Sequence, residues 1–306
     1  MNTTSASADR VEVRHALAEE PVREISALAG RASRHDQVQP LNEQTQLLLT
    51  ADQASEGSGV RHVLMHDGDA LAGYGIVVPL GDGSASAEAV VDPAARGAGR
   101  GRALVTRLRE LAAGSLQIWA HGDLPAAAAV AAAVGFKRVR ELRQLRLDLA
   151  TERPAARVPP GVAGRAFRPG FDDSAWVALN ARAFAGHPEQ GRLTIRDLRR
   201  RQGQLWWDPA GFFVAERDGE LVGFHWTKVH ADVDGESVGE VYVIGVDPGA
   251  QGGGLGRALT LTGLRHLQEQ GLPAVLLYVE SDNAAAIALY ERLGFATVAR
   301  DVMYRG

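Results

Sequence analysis

The chain has 306 residues, of which 45% are hydrophobic, and its 33 basic and 37 acidic side chains leave a formal net charge of −4 at pH 7. This length is about twice that of a typical domain, so we expect two domains. The near balance of charge argues against nucleic-acid binding. The absence of cysteine excludes disulfides, thiolate nucleophiles and cysteine-ligated metals.

Signals for export, membrane insertion or metal binding do not stand out. The longest apolar run, residues 126–136, is far shorter than the roughly 20 residues of a membrane span, and the first ten residues are polar. His187, His225 and His230 are too scattered to predict a metal site. We therefore expect a cytoplasmic monomer that uses no metal and binds neither membrane nor nucleic acid.

The first half of the chain shows two helical patterns followed by strands. The helices are predicted at 20–31 and 41–50, and the strands at 61–65, 71–78 and 87–91. Pro154, Pro159 and Pro160 then interrupt any regular element. We predict an N-terminal domain at 1–150, a linker at 151–160 and a C-terminal domain at 161–306.

The second half repeats the same order of elements more clearly. Two helices are predicted at 172–183 and 193–202, and a hairpin at 212–216 and 221–229 turns through residues 217–220. The remaining elements are a strand at 240–246, a helix at 256–270, a strand at 274–279, a helix at 284–293 and a strand at 296–304.

The two halves share a motif in register. Residues 91–104, VDPAARGAGRGRAL, match residues 246–259, VDPGAQGGGLGRAL, without a gap at an offset of 155 residues. Gly135-Phe136 matches Gly294-Phe295 at an offset of 159, so the second copy carries about four extra residues. We interpret the chain as a tandem repeat of one fold.

Each copy places a glycine-rich loop between a strand and a helix. Such a loop exposes backbone N–H groups at the positive end of the helix dipole, where a phosphate can bind. Leu104 and Leu259 occupy the third glycine position of a dinucleotide fingerprint, and neither loop contains the lysine of a P-loop. These two nucleotide-binding classes are therefore disfavoured.

The remaining pattern, Arg96-x-x-Gly99-x-Gly101 and Gln251-x-x-Gly254-x-Gly256, resembles the pyrophosphate loop of the GCN5-related N-acetyltransferase superfamily. The resemblance implies an α/β fold with a mixed sheet, two tandem acetyltransferase domains and acetyl-CoA as co-substrate. Contacts to acetyl-CoA are expected in both domains. In the second domain they are Ile244, Gly245, Val246, Gln251, Gly252, Gly253, Gly254, Leu255, Gly256, Arg257 and Asn283. In the first domain they are Ala89, Val90, Val91, Arg96, Gly97, Ala98, Gly99, Arg100 and Gly101.

Two side chains are predicted to be catalytic. Glu240 begins the strand that ends in the second glycine loop, and it is our candidate base because an amine must be neutral to attack. Tyr290 lies seven positions after Asn283, two turns along the same helical face. The resemblance implies that it protonates the departing CoA thiolate. In the first copy, Ala131 stands at the position of Tyr290 and Leu124 at that of Asn283. The first domain is therefore expected to be inactive.

Four further segments carry a resemblance to the mycothiol synthase family. They are residues 187–191 (HPEQG), 226–228 (WTK), 239–246 (GEVYVIGV) and 276–280 (LLYVE). The resemblance implies acetylation of the cysteine amine of cysteinyl-glucosaminyl-inositol, a small-molecule thiol precursor. The contacts it implies to this acceptor are Asp36, Glu189, Lys228, Glu240 and Tyr278. The residues alone leave open another amine acceptor, such as a protein N-terminus, a polyamine or an aminoglycoside, or a CoA-binding regulatory protein.

Overall fold

The computed structural model describes residues 10–50, 59–151, 154–187, 190–233 and 236–306. These residues form two compact units. The first contains the described residues up to Leu142 together with 280–282 and 299–306, and the second contains those in 143–279 and 283–298.

The first unit is a mixed sheet with helices on both faces. Its strands are β1 (Arg10–Arg14), β2 (Arg61–Asp67), β3 (Ala70–Pro79), β4 (Ala85–Val91), β5 (Leu116–Ala120) and the end of β12 (Ala296–Arg305), in the order β1-β2-β3-β4-β5-β12. Its helices are α1 (Glu19–Asp36), α2 (Glu43–Thr50), α3 (Arg100–Leu111) and α4 (Pro125–Ala133). Only β4 and β5 run parallel among the described pairs of this unit.

The second unit repeats this plan. Its strands are the end of β6 (Lys137–Asp148), β7 (Ala163–Ala166), β8 (Phe212–Arg217), β9 (Glu220–Val233), β10 (Glu236–Val246) and β11 (Ala274–Glu280), in the order β6-β11-β10-β9-β8-β7. Its helices are α5 (Asp173–Ala183), α6 (Ile195–Gln202), α7 (Leu255–Glu269) and α8 (Ala284–Arg292). The parallel pair is now β10 with β11.

Local signals explain where several helices begin. Thr194 and Asp197 form a capping box, which starts α6 at Ile195 rather than at the predicted residue 193. Asn283 accepts a hydrogen bond from the Ala286 N–H and starts α8. The predicted helices and strands are confirmed with small shifts at their ends. The sequence analysis gives no bounds for the strands β1, β5, β6 and β7 or for the alanine helix α4.

The compact units differ from the two sequence domains at their last strands. Val302 and Tyr304 of β12 are buried in the core of the first unit with Leu116 and Phe136. Leu145, Leu147 and Leu149, which follow one another on alternate positions, are buried in the core of the second unit. Each repeat therefore contributes its final strand to the compact unit built mainly from the other repeat, which a boundary at residues 151–160 does not anticipate.

Candidate active site

The glycine loop of the second unit is built by its own side chains and backbone. Asp247 accepts a hydrogen bond from the Gly249 N–H at 2.9 Å and ends β10 in a tight turn. Gly252 and Gly254 then adopt φ values of 86° and 83°, which disfavour L side chains, and the space around them is open. Gly254 caps α7 without a side-chain hydrogen bond. The first N–H groups of α7 are consequently left for a ligand.

The first unit builds the same loop. Asp92 accepts from the Ala94 N–H at 3.0 Å, and Gly97 and Gly99 have φ values of 83° and 81°. The first residue of the motif plays one structural role in both copies. Arg96 Nε donates to the Val91 carbonyl at 3.1 Å, and Gln251 Nε2 donates to the Val246 carbonyl at 3.4 Å. The repeat seen in the sequence is therefore a repeat in backbone geometry.

A cleft opens between β10 and β11. The two strands pair over three positions only, ending where Val241 lies opposite Leu277, whereas β10 stays paired with β9 as far as Val246. Over the described residues 242–246, the backbone edge that faces away from β9 is not paired with β11. A β-bulge at Tyr242 shifts the register at the point of separation. The β10–β11 cleft leads from there to the glycine loop.

The corresponding opening in the first unit forms a cavity of about 340 Å³. β4 and β5 pair only as far as Glu88 opposite Trp119, and β4 continues to Val91. The cavity is lined by strand residues 89–91, the glycine loop, His121 and one face of α4. Its volume lies in the range of small-molecule sites.

The helix after each cleft carries the predicted difference between the copies. Tyr290 is the seventh residue of α8 and is buried in one core cluster with Val241 and Leu277, which places it beside the β10–β11 cleft. Burial raises the pKa of its phenol to about 12, so the hydroxyl stays protonated at neutral pH. Ala131 is the seventh residue of α4, and Leu124 precedes that helix without capping it. The alignment of the two copies is confirmed.

Glu240 and Lys228 meet across the sheet. They lie opposite each other in the β9–β10 pair, and both are buried. The Lys228 ammonium lies 4.6 Å from the centre of the Trp206 ring and 5.3 Å from that of Tyr242, in range of cation–π attraction. Because Glu240 and Val241 are neighbours on a strand, Glu240 points to the face opposite the one that packs on Tyr290. The candidate base and acid therefore flank the cleft from two faces of the sheet.

Tyr278 occupies the exposed side of β11. It follows Leu276, the register partner of Glu240, by two positions and so shares the face of Glu240. Its side chain is half exposed, and its hydroxyl accepts a hydrogen bond from Gln144 Nε2 at 2.9 Å. The structure thus brings Lys228, Glu240 and Tyr278 to one face. Glu189 lies outside the described residues.

Asp36 contacts the first glycine loop. Its carboxylate accepts two hydrogen bonds from the Arg96 guanidinium, at 2.7 and 2.6 Å, and the imidazole of His35 lies 2.9 Å away. The Arg96 hydrogen bond holds the pKa of the Asp36 carboxyl below its usual range. Asp36 was predicted to contact the acceptor and Arg96 to contact acetyl-CoA, whereas the structure pairs the two side chains with each other.

Sequence reasoning missed two histidine–carboxylate clusters. His230 Nε2 lies 2.6 Å from Glu240 Oε2. In the first unit, His121 lies 2.7 Å from Glu88 and 3.0 Å from Asp301, and these carboxylates raise its pKa to about 10 despite its burial. His230 and Glu240 are ten residues apart on neighbouring strands, and His121 is 33 residues from Glu88 and 180 from Asp301. No local motif marks either cluster.

The described part of the chain shows neither a metal-binding cluster nor a membrane-spanning helix. No group of three or more His, Asp or Glu side chains there is arranged to hold a metal ion. None of the helices described is both long and apolar enough to cross a membrane.

Comparison with known proteins agrees with this geometry. The model of the acetyltransferase (GNAT) family matches the chain twice, at residues 22–136 and 179–295. The chain therefore belongs to the GNAT acetyltransferase family, with two tandem domains. Acetyltransferases of this fold use acetyl-CoA as co-substrate. The predicted fold class is confirmed.

Two relatives match nearly the whole chain and share one name. The chain is 53% identical over 94% of its length to a protein of Thermomonospora curvata called mycothiol acetyltransferase, of which it covers 95%. It is 52% identical over 97% of its length to a protein of the same name from Thermobispora bispora, of which it covers 99%. A tandem GNAT protein from the clavulanic acid biosynthesis pathway shares the fold, with a TM-score of 0.74, 21% identity and coverage of 97% and 98%.

Proposed function

We propose that this protein transfers the acetyl group of acetyl-CoA to the cysteine amine of cysteinyl-glucosaminyl-inositol, giving mycothiol and CoA. The observation that carries the choice of acceptor is the identity of more than half of the aligned residues with relatives named mycothiol acetyltransferase, over nearly the full chain. The cleft and the glycine loop of the second unit support acetyl transfer as the chemistry.

The second unit provides a path of suitable length for the co-substrate. In the proposal, the pyrophosphate lies against Gln251–Arg257, and the pantetheine arm pairs with the open edge of Ile244, Gly245 and Val246. Asn283 caps α8 two helical turns before Tyr290. The six residue-to-residue steps from Val246 to Glu240 span about 20 Å. The thioester would then lie near the point where β10 and β11 separate.

The mechanism assigns one role to each face of the sheet. Acetyl-CoA supplies an activated thioester carbonyl. Glu240 removes a proton from the acceptor ammonium on one face, which makes the amine nucleophilic. Backbone N–H groups of β10 in the cleft stabilise the negative charge that develops on the acyl oxygen. Tyr290, protonated at neutral pH, donates a proton to the departing thiolate from the other face. The attacking nitrogen loses a second proton as the intermediate collapses, and a proton of this kind restores the Tyr290 phenol, so that each turnover releases one proton in total.

The acceptor is proposed to bind on the face of Glu240. Lys228 and Tyr278 present an ammonium and a phenol there, groups that hydrogen-bond polyol hydroxyls. The proposal also retains Glu189 and Asp36 as acceptor contacts on the strength of the family resemblance.

The first unit is proposed to bind CoA without turnover. Its cavity and loop offer the contacts Ala89, Val90, Val91, Arg96, Gly97, Ala98, Gly99, Arg100 and Gly101. Ala131 cannot donate a proton to a thiolate, so this domain is proposed to be inactive. We further propose domains at 1–150 and 161–306 joined at 151–160, in a cytoplasmic monomer.

An acceptor panel tests the proposed function. Full-length protein is incubated with acetyl-CoA and either cysteinyl-glucosaminyl-inositol, a peptide with a free N-terminus, spermidine or an aminoglycoside. Mass spectrometry should find one added acetyl group on the first acceptor only. Thiol titration should count two thiols per acetyl group transferred, one on the acceptor and one on the released CoA, and because the protein has no cysteine it adds no background. Acetylation of only the other amines would refute the assignment.

A further inference from the structure

We propose that His230 carries the proton collected by Glu240 out to solvent, which makes His230 a proton-exit residue of the acetyl transfer. The inference rests on the proposed function, because it takes Glu240 as the base. It concerns a side chain whose position on β9 gives no sequence signal for catalysis.

Geometry supports a direct transfer between the two groups. His230 Nε2 and Glu240 Oε2 are 2.6 Å apart, within hydrogen-bond reach. The Glu240 side chain is 9% exposed, whereas that of His230 is 35% exposed. One group of the pair can therefore face the acceptor while the other exchanges protons with water.

The reaction requires such an exit. An α-amino group with a pKa near 8 is largely an ammonium at neutral pH, and the amide product is uncharged. Each turnover therefore converts an ammonium and a thioester into an amide, a thiol and one released proton. Glu240 must lose that proton before it can act as a base again.

The transfer balances with the groups present. The O–H bond of protonated Glu240 breaks as an N–H bond forms at Nε2 of neutral His230. The resulting imidazolium releases the proton on Nδ1 to water, and exchange with solvent restores the starting tautomer. Lys228, which also lies beside Glu240, is 8% exposed and faces the rings of Trp206 and Tyr242, so it is less open to exchange with water.

Two variants and a chemical rescue test the proposal. His230→Ala and His230→Gln should each lower kcat about 100-fold, the lower end of what a positioned proton-transfer group contributes, with KM for acetyl-CoA within about two-fold of the parent value. Free imidazole should restore kcat of His230→Ala in a saturable way, because it can carry the proton. Gln can replace the hydrogen bond to Glu240 but cannot carry the proton.

Controls separate this inference from its alternatives. His266 also lies next to a carboxylate, with Nε2 3.2 Å from Asp208, and His266→Ala should leave kcat unchanged. Parental activity in His230→Gln would show that the histidine only orients Glu240 and would overturn the proposal, as would failure of imidazole to rescue His230→Ala. If the parent protein itself does not acetylate the acceptor, the proposed function fails instead.

Discussion

His225 should make the second unit sensitive to acid. The imidazole is fully buried on β9, with Nδ1 2.7 Å from the Leu259 carbonyl. Its ring lies so close to α7 that a Cβ added at Gly263 would approach Cε1 to 2.1 Å. Burial lowers the pKa of His225 to about 4, from a usual value of 6.5. The native state therefore keeps this histidine neutral under conditions where the unfolded chain protonates it.

The size of the effect follows from the two pKa values. Above pH 6.5 both states hold the neutral ring, and the full stability is present. As the pH falls from 6.5 towards 4, the unfolded chain binds a proton that the native protein excludes, and stability is lost. At pH 5 this difference amounts to about 2 kcal/mol of unfolding free energy.

Urea unfolding at pH 7.5 and 5.0 measures this loss. Four of the five tryptophans, Trp176, Trp206, Trp207 and Trp226, lie in the second unit, so fluorescence reports mainly on its unfolding. His225→Gln serves as the control, since its amide can donate to the Leu259 carbonyl but does not titrate. The parent should lose about 2 kcal/mol more than the variant between the two pH values. An equal loss in both proteins would refute the reasoning.

Two further predictions test the division of labour between the copies, and a third tests the contribution of the His121 cluster to stability. Tyr290→Phe should lower kcat about 100-fold while calorimetry finds acetyl-CoA affinity unchanged; parental turnover would remove the phenol from the mechanism. Gly254→Asp introduces a negative charge into the second glycine loop, and its side chain is disfavoured at the φ of 83° found there, so it should abolish turnover. Gly99→Asp makes the same change in the first loop and should leave turnover intact. Equal losses of turnover in a kinetic assay would contradict the proposal. Asp301→Ala removes a partner of His121 and should cost the first unit about 3 kcal/mol in urea unfolding at pH 7. Since the pKa of His121 is raised to about 10, this contribution should be full below pH 6.5 and fade as the pH rises towards 10, and a loss independent of pH would argue against it.

Short-range chemistry could be predicted from the sequence. The backbone is left-handed at positions 97, 99, 252 and 254, a conformation that favours glycine. Asp92 and Asp247 cap the short turns that lead into these glycine loops. Because these constraints act within a few residues, they leave a repeated motif in the chain. The same holds for Asn283 as a helix cap and for Ala131 opposite Tyr290.

Long-range pairing was decided by the tertiary structure alone. Arg96 donates to Asp36 across 60 residues of sequence, and His121 contacts Asp301 across 180 residues. The register of β9 on β10 brings His230 beside Glu240. The exchange of the final strands between the two repeats was likewise decided by tertiary packing. A strand that buries alternate side chains can complete either of two similar sheets, so its pattern predicts a strand but not its partner. The sequence by itself determined the repeated fold and the loops that suit a phosphate, whereas tertiary packing decided which charges meet and which strands close each unit.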